Sequence, residues 1–124
     1  MSIELSEDAR NAALSSVAAL IDAAGPSGRI ELLTAKGVVL SVLHFSFPCA
    51  GAPDGGSMAF GPISDDANSR ARGKATDARI TDAANNEVFR CDVSGLDGNA
   101  VVQLNSTDIV PGGVVRLKSF TLAI

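Results

Sequence analysis

The chain has no Trp, no Tyr, one His and two Cys among its 124 residues. Each scarcity removes a class of function. With five Phe as the whole aromatic content, it is poor in the platforms on which sugar rings stack, and no aromatic residue is interleaved with its basic row Arg70, Arg72 and Lys74 for base stacking. Two cysteines do not make a disulfide framework. Together with a single histidine, and without a C-x-x-C element, they also fall short of a zinc ligand set. Basic residues are few: ten Lys and Arg against fourteen Asp and Glu give a net charge of -4, which argues against charge-driven binding to nucleic acid or anionic membrane. The longest uncharged stretch, Gly37 to Pro53, is interrupted by Pro48 and Gly51 and is too short to span a bilayer. Glu4, Glu7 and Asp8 stand where a signal peptide carries Lys or Arg. The expectation is a soluble protein made in a cytoplasm, with reduced thiols and with neither nucleic acid nor membrane as partner.

What is present suits one core. Hydrophobic residues make up 46% and charged residues 19%, and the length predicts a single domain over residues 1–124. A helix is expected over 6–24. Ser6 is placed to cap it, Glu7 and Asp8 favour the positive end of its dipole, and Gly25-Pro26 stops it. Ala13, Leu14, Val17, Leu20, Ile21 and Ala24 form its apolar stripe, suited to a sheet or a neighbouring subunit, while Arg10, Ser15 and Asp22 face elsewhere.

From residue 29 to 124 the pattern is that of strands. Arg29 to Thr34 alternates, Lys36-Gly37 turns, and Val38 to Phe47 reads as a long strand, central or covered by the helix. A loop follows, then a short strand within Ser57 to Ile63. Lys74 to Thr81 and Glu87 to Val93 make a hairpin around "DAANNE", with Asn85 and Asn86 suited to positive φ. Val101 to Asn105 is a further strand, and the last one runs to Ile124. Val115 and Leu117 differ in parity from Phe120, Leu122 and Ile124, so a bulge near Ser119 is expected. The whole predicts a mainly β fold, a small antiparallel β-sandwich or barrel of about seven strands with one N-terminal α-helix.

Candidate chemistry is sparse. His44 and Cys49 lie near each other and are weakly compatible with a thiol and imidazole pair. The simpler reading makes His44 a sheet residue and both Cys49 and Cys91 small buried apolar residues. Asp54, Asp65, Asp66 and Asp97 sit in turns, where Asp bonds its own backbone, and no calcium-loop spacing surrounds them. Arg70, Arg72 and Lys74 alternate into a basic row, a solvated face or a contact for an acidic protein surface. No phosphate loop, G-x-G-x-x-G or G-x-S-x-G element occurs. No catalytic, cofactor-binding or metal-binding residue is assigned, and no cofactor is expected.

Three segments carry a resemblance: "ARNAALSSVAALIDAAG" (Ala9 to Gly25), "FRCDVSG" (Phe89 to Gly95) and "VVQLNSTDIVPGGVVRLKSFTLAI" (Val101 to Ile124). Together they resemble a family of small virion structural proteins of tailed bacteriophages and prophages. In that family an alanine-rich helix precedes glycine-punctuated strands, and the chain closes with an "LN-S/T-T-x-I-x-x-G" turn and an "S-F-T" strand. The match is strongest from Leu104 to Gly112 and at Ser119-Phe120-Thr121. It departs at "TDARI", where members carry an aromatic residue, and Cys49 and Cys91 are not part of the pattern. The resemblance implies a non-enzymatic role in the virion, first as a cement or decoration protein on the capsid, with the major capsid protein or other virion proteins as partners and homo-oligomers possible. A tail, neck or collar component is the alternative. A cysteine-dependent or ligand-binding β-sandwich module is a third reading.

Overall fold

The computed structural model describes residues 3–124. One helix, α1 (Glu7–Asp22), is followed by nine strands among these residues: β1 (Arg29–Leu33), β2 (Val39–His44), β3 (Ser57–Ala59), β4 (Gly73–Lys74), β5 (Asp77–Thr81), β6 (Glu87–Ser94), β7 (Val102–Leu104), β8 (Asp108–Ile109) and β9 (Leu117–Ala123). The architecture is the expected mainly β body with an N-terminal helix. Seven strands form a curled sheet in the order β2-β1-β5-β6-β7-β9-β3, and β4 and β8 form a separate pair. The pairs Phe45↔Ile63 and Ala50↔Phe60 connect the chain leaving β2 with the chain leaving β3. The two ends of the sheet are thereby drawn toward each other. Phe45, Phe60, Phe89 and Phe120 meet inside the curl, with Phe60 and Phe120 rings 4.4 Å apart. No helix is long and apolar enough to cross a membrane among the described residues.

The helix begins as its sequence dictates. Ser6 Oγ accepts the Ala9 N–H at 3.1 Å, and Glu7 and Asp8 occupy the first turn. It ends earlier than expected, at Asp22, with Ala23 as the cap and Gly25 at φ +89°. Its buried stripe is narrower too. Leu14 and Ile21 are buried and Val17 and Ala18 pack on the core, but Leu20 and Ala24 are exposed. Asp22 turns inward to the Cys49 backbone. The helix rests against β3 and β6. At the crossing to β1, Gly28 leaves no room for a side chain: a Cβ there would lie 2.5 Å from Ile21 Cγ2 and 2.9 Å from the Thr81 carbonyl oxygen.

Three strand expectations are corrected. The strand expected to be central or covered by the helix, β2, is an edge strand. It is covered by the chain from Pro62 to Arg70, which bonds it at His44, Ser46, Val42 and Leu40. A bulge places Leu40 as an extra residue between Leu32↔Ser41 and Leu33↔Val39. That break in alternation is why the neighbours Leu40 and Ser41 are both fully buried. Next, the expected strand 74–81 divides. Lys74 pairs with β8, and the chain re-enters the main sheet at Asp77. The sheet is also not wholly antiparallel, because β6 and β7 run parallel over Val93↔Val102 and Ser94↔Gln103. The short return is held by side chains, Ser94 Oγ accepting the Ala100 N–H and Asp92 Oδ1 the Val101 N–H. The bulge expected near Ser119 is present, with Lys118 as the extra residue between Gln103↔Ser119 and Leu104↔Leu117. It brings Leu117 and Phe120 to the core, whereas Ile124 remains exposed.

Candidate functional site

The histidine and the nearest cysteine occupy different environments. His44 ends β2 with its side chain exposed, and its backbone pairs with Ser64. Cys49 is fully buried. Its N–H donates to both Asp22 carboxylate oxygens at 3.2 Å, and its Sγ lies 3.7 Å from the Ala18 carbonyl oxygen. Burial pushes the Cys49 thiol up to about 12, with the Asp22 carboxylate adding to the rise. Burial likewise pushes Cys91 up to about 12, helped by Asp92 and Asp77. At neutral pH both are protonated thiols and poor nucleophiles, and neither is in a disulfide. Among the described residues no group of three or more His, Cys, Asp or Glu is placed to hold a metal ion.

Of the four turn aspartates, two reach beyond their own loop: Asp65 Oδ2 accepts from Arg116 Nε at 3.0 Å, and Asp66 makes a larger set of bonds. Asp66 Oδ2 accepts the Ser41 hydroxyl at 2.6 Å and the Val42 N–H at 3.1 Å, while Oδ1 accepts the Asn68 N–H at 2.9 Å. Burial alone would raise its pKa. The bonds from Ser41, Asn68 and Val42 and the field of Arg70 outweigh it and hold the carboxyl below its ordinary value. The backbone of the same residue pairs with Val115 in both directions, at 3.0 and 2.7 Å. Asp66 therefore ties the edge of β2 to the approach of β9. The sequence carried one signal of this: Ser41, a hydroxyl within an apolar strand, requires a buried partner.

The far side of that tie is the loop between β7 and β9, which holds "LNSTDIVPGG". Its geometry follows from its residues. Asn105 grips the return strand, its N–H donating to the Arg116 carbonyl at 2.9 Å, its Oδ1 accepting the Arg116 N–H at 3.0 Å and its Nδ2 donating to the Val114 carbonyl at 3.2 Å. Ser106 Oγ accepts the Asp108 N–H at 3.1 Å, a side-chain turn that starts β8. Leu104 and Ile109 anchor the loop in the core. Gly112, at φ +77°, makes the reversal, and its N–H donates to Ser69 O at 2.9 Å. Ser69 in turn donates its N–H and hydroxyl to Gly113 O at 3.2 and 2.8 Å. Held on both sides, the loop presents Val110 and Val114 to solvent, 43% and 51% exposed. Beside them lies a cleft of about 170 Å³ bordered by Ser69, Asn105 and Ser106.

The basic row is split. Arg70 acts on Asp66, while Arg72 and Lys74 line a different groove with Lys36. No protein-family model, curated protein or solved structure matches the chain.

Proposed function

We propose that the protein is a bacteriophage virion structural protein, a cement or decoration protein that binds the assembled head and stabilises it. The observation that carries this reading is the loop Leu104 to Gly113. The residues that resemble the virion family most closely are those whose side chains lock a rigid loop and leave two valines outside it. Apolar side chains held on a fixed backbone lose little entropy when a neighbour covers them, so they favour adhesion. A protein that binds only the assembled lattice stabilises that lattice by mass action. The resemblance supplies the class of partner, the major capsid protein, and the loop supplies a contact surface.

The test has two parts. Particles assembled without the protein should keep normal tails but lose integrity at a lower temperature, and adding back the purified protein should restore it. The double variant Val110→Asp/Val114→Asp, folded by circular dichroism, should fail to restore it. Intact heads with missing or defective tails would transfer the protein to the tail or neck and overturn the head assignment.

A further inference from the structure

The surface formed by the turn after β1 and the segment entering β4 gathers three cations on a chain whose net charge is -4. Thr34, Ala35, Lys36 and Val38 make one wall and Arg72 and Lys74 the other, around an open groove of about 380 Å³. The three cations are exposed, and none has a carboxylate oxygen within 4.0 Å among the described residues, although Asp108 stands opposite Lys74 in the β4–β8 pair. Between the charges the lining is mostly carbon, with the side chains of Thr34 and Thr76 and with Val38 at 50% exposure. The walls are fixed before anything binds. Arg70 N–H donates to Leu40 O and Thr76 N–H to Leu33 O, both at 2.9 Å. Between those bonds Gly73 lets the walls touch, because a Cβ there would sit 3.0 Å from the Thr34 methyl and 3.1 Å from Leu40.

A complementary segment lies elsewhere on the same chain. Residues 3 to 6 form neither helix nor strand. Ile3 is 83% exposed and Leu5 44% exposed, and they flank Glu4. Neither Glu4 nor Asp8 is in an ion pair among the described residues. Glu7, by contrast, is already engaged with the Gly55 N–H. Apolar side chains alternating with carboxylates match an apolar floor rimmed by cations. Within one molecule the two remain apart: residues 3 to 8 do not line the groove, and among the described residues no ion pair joins Glu4 or Asp8 to Lys36, Arg72 or Lys74.

We propose that the Ile3–Ser6 arm and the first turn of α1 of one copy dock in the Lys36/Arg72/Lys74 groove of another, with Ile3 and Leu5 on Val38 and with Glu4 and Asp8 facing the cations. The contact joins two different patches, so it closes as a reciprocal pair where two arms exchange and extends into rings or chains where they do not. It stands independently of the virion reading, because its test uses the purified protein alone.

Sedimentation velocity across a concentration series in low salt should show reversible association that weakens as salt is raised. Lys36→Glu/Arg72→Glu/Lys74→Glu should weaken it by about tenfold or more, and so should Glu4→Lys/Asp8→Lys. An equimolar mixture of the two variants should associate again, because each supplies the charge the other lost. Ile3→Ser/Leu5→Ser should also weaken association, which pure charge attraction does not predict. All these positions are exposed, and circular dichroism should confirm that each variant is folded. A wild-type protein that stays monomeric overturns the proposal. So does association unaffected by either charge reversal, or a monomer whose groove amides shift on adding inorganic phosphate, which assigns the groove to a small anion.

Discussion

Replacing Asp66 with alanine removes three hydrogen bonds at once, and they differ in cost. The Asn68 N–H is exposed and recovers a water. The Ser41 hydroxyl is fully buried and loses Asp66 Oδ2 as its acceptor, and the half-buried Val42 N–H loses the same oxygen. A stranded buried donor costs roughly 1–3 kcal/mol, so Asp66→Ala should destabilise the fold by about 3 kcal/mol. Against a total of about 5–15 kcal/mol for a domain, that is a large fraction. With no Trp or Tyr to report by fluorescence, unfolding is best followed by far-ultraviolet circular dichroism in urea. The midpoint should fall by about 1–2 M with the slope unchanged. Ser41→Ala alone should cost about 1 kcal/mol, and the double variant should cost less than the sum, because the second change removes the donor that the first had orphaned.

The pH dependence has a definite sign. The folded pKa of Asp66 lies below its ordinary 3.8. Its contribution is therefore fully present above that value and is lost as pH falls through the folded value. Wild type should lose stability in that acid range more steeply than Asp66→Ala. A variant within about 0.5 kcal/mol of wild type, the level of an ordinary surface change, or a strictly additive double variant, would refute the reading of Asp66 as the tie between β2 and the β7–β9 loop.

Other expectations follow from single contacts. Gly28→Ala should destabilise by about 1–3 kcal/mol in urea titration, since its Cβ meets Ile21 and the Thr81 carbonyl; a neutral result would show that α1 can shift off β1. Phe120→Ala removes the ring shared by Phe45, Phe60 and Phe89 and should cost about 3–5 kcal/mol, with near-ultraviolet dichroism from phenylalanine diminished. Cys49, buried and with its thiol pushed up to about 12, should react with a disulfide reagent at pH 8 only as fast as the protein opens; rapid native labelling of Cys49 would contradict its burial.

Local residues fixed local features. Ser6, Glu7 and Asp8 start the helix where they predict it, and Asn85, at φ +70°, turns the hairpin. The parity change between Leu117 and Phe120 marks a bulge, because alternation is a property of consecutive residues. These signals needed no knowledge of distant chain, and together they determined a mainly β body with one helix. Tertiary structure decided the rest: that β2 lies at an edge, that residues 74–81 serve two sheets, that Asp66 answers Ser41, and that Lys36 joins Arg72 and Lys74 across one groove. Each joins residues far apart in sequence, and which of many polar or charged groups become neighbours depends on how the sheet curls. Periodicity encodes which face of a strand is buried; it does not encode which strand that face will meet.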